Sequence, residues 1–283
     1  MYYSDFAEKE KYFSQSDYID TIEDLQNLLN SHTKKREFFF RGVNEAKYKL
    51  YTSAQRKWLM ENVKNHSTGM SYNDFVKCLI GRFYNTREKL MSRYFTSLGL
   101  PNKGKNMNAL CYMQHYGAPT PLLDFTTRIN VALFFAIKGA EYNRLKSIDG
   151  YFSLYMIKKA SESITYFDYK EDGYSLVADD KKLYLINTPT RRYLGKVPHI
   201  INLAPNNLNM IAQSGVLLMN YNEFEPIETL SNLQCVNIHK SLIPYIHTYL
   251  QRKRIKERYL FPDPEDVVRD CIDSIYEKGL SGI

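Results

Sequence analysis

Residues 17–29, DYIDTIEDLQNLL, repeat apolar side chains at helical spacing, with Ile19, Ile22, Leu25 and Leu29 on one face. An amphipathic helix is expected there, with Asp17 as its N-cap. The pattern changes at residues 37–43, EFFFRGV, a continuous aromatic run closed by a glycine, which predicts a buried strand ending at Arg41 and Gly42. A long helix is expected over residues 71–98, carrying Phe75, Leu79, Phe83, Leu90 and Tyr94, and after a Pro/Gly/Asn loop near 99–106 another follows at about 108–116. Thr127 is then placed to cap a helix whose residues 131–136 are apolar on every side, and a helix without a polar face belongs in the centre of a fold. Beyond Gly150 come short apolar runs, YFSLYMI, LYLIN, HIINL and GVLLMNY, separated by Gly, Pro, Asn and Asp, and these read as strands. Helical periodicity returns at 241–258 and 264–276.

Helices followed by strands that need an earlier strand to complete a sheet predict one α+β domain spanning residues 1–283. It would be helical to about 110, β-rich over about 111–235, and helical again over about 240–278. The composition agrees: 44% hydrophobic and 24% charged residues are enough to bury a core, and wholesale disorder is excluded. Tyrosine is abundant, 24 against a single Trp, which serves interfaces and core packing equally. The four cysteines, Cys78, Cys111, Cys235 and Cys271, show no CxxC spacing, so neither a zinc knuckle nor a disulfide framework is expected, and a reduced, cytoplasmic setting follows. The N-terminal MYYSDFAEKEKYF lacks the apolar core of a signal peptide, and the longest apolar run, 131–137, is too short to span a bilayer.

Charge changes the picture more. The formal net charge of +7 makes polyanions, nucleic acid among them, the natural electrostatic partners. Lys34, Lys35 and Arg36 form one basic cluster. Arg252, Lys253, Arg254, Lys256 and Arg258 form a second, which reads as the basic face of a helix, either simply solvated or a nucleic-acid contact.

Catalytic signatures are sparse. GLPNKGKN, residues 99–106, matches a phosphate-binding loop up to Lys105, but Asn106 stands where Ser or Thr is required and the preceding segment is helical, so it is taken as a surface loop. No HExxH, nucleophile elbow or metal-ligand spacing occurs, and His239 and His247 fit surface or core histidines better than ligands. What stands out is polar chemistry set in apolar surroundings: Arg41 in EFFFRG, and Asp124, Thr126 and Thr127 in LLDFTT. A buried charge costs several kcal/mol, roughly, unless it is paired. Arg41 and Asp124 therefore either pair with one another or leave Arg41 to clamp an anionic ligand.

FFFRG, YTSAQR, MQHYGAPTPLLDFTTRINVALFFA, AQSGVLL and YLFPD occur in the order and approximate spacing of the FRG domain, a bacterial family named for its Phe-Arg-Gly, and the chain resembles that family over roughly residues 20–275. The family in turn looks like the ADP-ribosyltransferase fold, which implies a split, mostly antiparallel sheet with flanking helices and NAD held as substrate in the cleft. By this likeness Arg41, with Gly42, would hold the NAD phosphates or a ribose. Thr126 and Thr127 would position the nicotinamide ribose, Tyr51 or Tyr116 would stack on nicotinamide, and Ser53 and His115 would complete the pocket. The final strand would carry Gln213, Ser214 and Gly215, with glycine where the transferase pattern has glutamate. Asp124, or Glu223 or Glu225 of NEFEP, could supply the missing carboxylate, and Gln213 would assist acceptor attack. No metal is implied. The resemblance implies mono-ADP-ribosylation of nucleic acid, RNA favoured, by a toxin of phage defence or of a toxin–antitoxin pair with an antitoxin protein as partner. The alternatives are a catalytically degenerate nucleotide- or nucleic-acid-binding module and an NAD glycohydrolase.

Overall fold

The computed structural model describes residues 1–13, 16–33, 37–61, 69–99, 105–159, 207–220, 222–229, 233–266 and 268–269, together with short strands between 165 and 202. Its architecture is α+β. Eight strands form one mixed sheet in the order β1 (Ser16–Ile19), β11 (Leu233–His239), β4 (Tyr151–Lys158), β2 (Phe38–Val43), β3 (Leu122–Thr126), β10 (Gly215–Met219), β9 (His199–Asn202) and β5 (Thr165–Asp168). The interior pairings are antiparallel, and both edge pairings, β1 with β11 and β5 with β9, are parallel. Strands β6 (Ser175–Asp179), β7 (Lys182–Asn187) and β8 (Thr190–Tyr193) make a second, three-stranded antiparallel sheet.

The large sheet comes apart in its middle. Strand β2 is paired with β4 along its whole length, from Phe38↔Lys158 to Val43↔Ser153, but meets β3 only at Phe40↔Thr126. Across the gap the Arg41 guanidinium donates through Nη1 to the backbone oxygen of Asp124 at 2.7 Å, a side-chain bond where a continuous ladder would carry a backbone one.

Alternation along β2 sends Phe40 to one face and Phe39 to the other, and both are buried. On the Phe40 face lies the apolar helix α6 (Ile129–Ile137), packed with α2 (Ile22–Thr33) and α8 (Ile243–Arg252). Contact there is close: a Cβ at Gly42 would lie 1.9 Å from the Ala132 carbonyl oxygen and 2.7 Å from the Ala136 nitrogen, so only glycine lets the helix backbone rest on the strand. Near the β3–β10 part of the sheet, α3 (Ser53–Met60), α4 (Tyr72–Ser97) and α5 (Lys105–His115) enclose a cluster around Trp58, Leu110, Leu122 and Met219. Capping boxes start two of these helices, Thr52 with Gln55 for α3 and Ser71 with Asp74 for α4.

Several sequence expectations are corrected. The helix expected over 17–29 does not start at Asp17, because residues 16–19 form β1 beside β11, and the first helix of the structure is α1 (Phe6–Glu10). Helix α2 begins at Ile22, where the Thr21 hydroxyl accepts from the Asp24 N–H at 3.2 Å; Leu25 and Leu29 are buried as expected, but Ile22 is exposed. Strand β2 continues through Arg41 and Gly42 to Val43. Thr127 does not cap α6: its N-cap is Arg128, without a side-chain cap, and Thr126 Oγ1 accepts from the Arg128 N–H at 3.1 Å. AQSGVLL is not all strand, since α7 (Leu208–Gln213) runs to Gln213, Ser214 turns left-handed at φ 48°, and β10 starts at Gly215. The 241–258 helix is broken: α8 stops at Arg252, Arg254 is left-handed at φ 56°, and α9 (Glu257–Leu260) is a separate turn. The cluster at residues 34–36, residues 100–104 of the loop, and Cys271 lie outside the described residues. Among the described residues no helix is long and apolar enough to cross a membrane.

Candidate functional site

A cleft of about 760 Å³ opens where β2 and β3 part. Its floor is β2 and β3, and its walls come from residues 48–51, α3, the end of α5, α6, α7 and Phe261. The volume lies in the range of small-molecule sites.

Arg41 stands on the floor. It is half-buried, and its inner nitrogen, Nε, is buried without a hydrogen-bond partner among the described residues. Burial pushes the guanidinium below its ordinary pKa; the Asp124 charge opposes the shift and the Arg56 charge adds to it. The expected ion pair between Arg41 and Asp124 is not formed: Arg41 takes the Asp124 carbonyl, while the Asp124 carboxylate accepts from Gln114 Nε2 at 2.7 Å. The acid is also exposed, not buried, because Leu123 and Phe125 take the inward positions of β3 and leave residue 124 facing the cleft. Gln114 is held from its other end by the Thr120 hydroxyl, which donates to Oε1, so the carboxylate sits in a fixed chain of bonds. Among the described residues Asp124 is the only carboxylate lining the cleft.

His115 lines the same wall. The Asn209 amide nitrogen is 3.0 Å from Nε2, and because an amide N–H only donates, the neutral ring carries its proton on Nδ1. Burial lowers the His115 pKa, with Asp124 opposing.

Arg41, Gly42, Tyr51, His115, Asp124, Thr126 and Gln213 of the expected site residues meet in this cleft. Thr126 and Gln213 are engaged internally: Thr126 Oγ1 donates to the Gln213 carbonyl at 2.7 Å, and Gln213 Nε2 donates to the Leu260 carbonyl at 2.9 Å. Three expected residues lie outside the lining. Ser53 exchanges bonds with Thr120, whose N–H it accepts at 2.9 Å; Thr127 donates its backbone N–H to the Ser214 carbonyl; Tyr116 is 65% exposed with its ring 4.6 Å from that of Tyr112. Glu223 and Glu225 are also elsewhere, Glu223 accepting from Trp58 Nε1 at 2.9 Å and Glu225 from Asn222 Nδ2 at 2.9 Å.

Sequence reasoning missed many of the lining residues, among them Arg56, Gln114, Lys138 and Phe261. Arg56 and Gln114 lay inside the blocks YTSAQR and MQHYG, and their charge and amide were the available signal. Lys138 and Phe261 follow helix ends; Phe261 lay inside the block YLFPD, whereas nothing local marks Lys138. Lys138 pairs with Glu257 at 2.6 Å and lies over the Phe261 ring, 4.6 Å from its centroid.

Arg252, Lys253, Arg254, Lys256 and Arg258 are all exposed, on the turn from α8 to α9 and not on one helix face. Lys253 Nζ lies 5.8 Å from the Tyr249 ring centroid and the Arg258 guanidinium 4.9 Å from that of Tyr259. Phe261, at the cleft, is only a few residues along the chain. Elsewhere, His239 is a core histidine, bonded to Ser241 Oγ and the Leu145 carbonyl, and no group of His, Cys, Asp and Glu among the described residues could hold a metal ion.

In comparison with known families, residues 36–144 fit the family model of the FRG domain. That span runs from β2 through α6 and contains Arg41, Arg56, His115, Asp124 and Thr126, but stops short of Gln213 and Phe261. No curated protein and no solved structure matches the chain.

Proposed function

We propose, from an FRG domain over residues 36–144 whose Arg41 and Asp124 face one cleft, that the protein binds NAD there and transfers its ADP-ribose to nucleic acid. The observation that carries this reading is Arg41: a cation on the floor of the cleft, oriented by one Nη1 bond to the Asp124 carbonyl and with no ion pair to a carboxylate among the described residues, would be neutralised by an anion in the cleft. The pyrophosphate of NAD supplies such an anion. A sheet split between β2 and β3 is also what the ADP-ribosyltransferase-like fold would need.

The chemistry asks for little machinery. The C–N bond between ribose and nicotinamide breaks, its electron pair leaves with nicotinamide, and positive charge develops on the ribose. An exposed carboxylate pinned by Gln114, as Asp124 is, would stabilise that charge and take the proton of the attacking acceptor. Thr126 acts as a positioning residue, because its hydroxyl ties the end of β3 to α7 and not to a ligand. The exposed cations of the α8–α9 turn favour a polyanionic acceptor, RNA first, and a toxin restrained by an antitoxin is the biological setting that fits such an activity. One feature favours a second reading, a nucleotide-binding module without catalysis: the Gln213–Gly215 segment brings no carboxylate, and the Gln213 amide is already bonded to Leu260.

NAD labelled on its adenylate half, incubated with the protein and with RNA, DNA or protein acceptors, separates the readings. Label on one polymer with equimolar nicotinamide release, lost in Asp124→Asn while NAD still binds, is the expected result. Nicotinamide without transferred label would mark a glycohydrolase. NAD binding without either product would leave the binding module, and no NAD binding would overturn the reading.

A further inference from the structure

The capping box at Thr52 fixes the first turn of α3: Thr52 Oγ1 accepts from the Gln55 N–H at 3.2 Å, and Gln55 Oε1 accepts from the Thr52 N–H at 2.9 Å. Gln55 and Trp58 turn inward and are buried. The helical rotation between them leaves Arg56 on the open side, where it lines the cleft. Its Nη1 donates to the Tyr51 carbonyl at 2.7 Å, and no ion pair with a carboxylate is formed among the described residues.

The other long cations of the cleft are neutralised. Lys49 is paired with Glu8 at 2.7 Å and Lys138 with Glu257 at 2.6 Å. Arg41 and Arg56 are not, and each is anchored by a single Nη1 bond to a backbone carbonyl, which orients the fork while leaving its remaining N–H groups for a ligand. Two guanidinium groups in one cleft repel one another, and the Arg56 charge lowers the pKa of Arg41. An anion of more than one charge that bridges the pair would turn that repulsion into attraction on both sides.

We infer that Arg56 is a second anchor of the cleft, and that Arg41 and Arg56 together grip two adjacent phosphoryl groups, so that the ligand class is a diphosphate ester of a nucleoside. This deepens the NAD reading, and rests on it only for the choice of NAD within that class.

Titration calorimetry of the full chain with inorganic pyrophosphate, ADP, AMP and NAD tests the inference. ADP and pyrophosphate should bind about tenfold or more tighter than AMP, the increment of one charge-assisted bidentate contact. Arg56→Gln should abolish that preference, weakening the diphosphates about tenfold while changing AMP less than about threefold. Arg56→Lys, which keeps charge and a donor but not the planar fork, should fall between, and decides the matter if the glutamine variant does not fold. Wild-type affinity for ADP in Arg56→Lys and Arg56→Gln would assign Arg56 to the Tyr51 carbonyl alone, and equal losses for ADP and AMP, or no diphosphate binding by the wild-type chain, would equally overturn the inference. Arg56-dependent binding of ADP and pyrophosphate without binding of NAD would uphold the clamp and remove NAD.

Discussion

His115 shows how one side chain ties the site to pH. Its folded pKa is lowered by burial, so the proton is held more weakly in the native protein than in the unfolded chain, whose value is about 6.5. Between those two values the unfolded state binds more protons, and stability therefore falls as pH drops through the window. His115→Gln keeps a polar side chain against Asn209 and removes the titration. Its unfolding free energy should lose that part of the slope between about pH 6.5 and the lower folded value, measured by urea denaturation across pH. An unchanged slope would mean that His115 titrates as freely as in the unfolded chain. At this scale much of the site was readable. Arg41 was conspicuous because a cation interrupts an aromatic run, and Asp124 because an acid interrupts LLDFTT. What the sequence could not show is that Arg41 bonds to the backbone of residue 124 and leaves the carboxylate to Gln114, since both geometries place the same residue types side by side.

Elements were readable where their stabilisation is local and obscure where it is not. The long helix α4 announces itself by its capping box and apolar spacing, and α6 by being apolar all round. Strand β1 does not, because its partner β11 lies more than 200 residues away in the register Ser16↔Cys235, and the same residues continue a helical pattern into α2. Helix α7 is hidden for a different reason: it spans 6 residues and ends on a left-handed Ser214 in place of the glycine that usually signals such a stop. Two glycines at element junctions make the contrast testable. Gly42→Ala forces a Cβ to within 1.9 Å of the Ala132 carbonyl, so α6 must back away from β2, whereas Gly215→Ala would meet nothing nearer than 3.6 Å. Gly42→Ala should cost about 1–3 kcal/mol or more and loosen the cleft floor, and Gly215→Ala should lie within about 0.5 kcal/mol of the parent. Denaturant midpoints of the two variants check this. Similar midpoints would show that α6 yields easily and that Gly42 is not required by the packing.

Among the described residues, an exposed run of cations, Arg252, Lys253, Arg254, Lys256 and Arg258, lies a few residues along the chain from the cleft. Glu257, the acid within the basic turn, is paired with Lys138, and the cations of residues 252–258 are exposed around it. The turn is connected to the cleft in two ways: Phe261 lines the cleft just beyond α9, and the Gln213 amide at the cleft wall holds the Leu260 carbonyl. A strand of nucleic acid lying on the turn would therefore reach the cleft without crossing the body of the protein. The exposed Tyr259 ring beside the Arg258 guanidinium supports this use, since a cation over an exposed tyrosine and a stacking base draw on the same kind of surface. Counterion release gives the test its sign. If Arg252, Lys253 and Arg254 contact phosphates, then replacing them together, by Gln at 252 and 253 and by Asn at 254 to suit its left-handed backbone, should flatten the plot of log affinity for single-stranded RNA against log salt by about 2, at roughly 0.7 per lost contact. NAD affinity, which the proposed reading assigns to Arg41 in the cleft, should not change. A salt slope equal to that of the parent would make the basic turn an ordinary solvated surface, and a parallel loss of NAD affinity would show that the turn supports the cleft wall and is not a docking surface of its own.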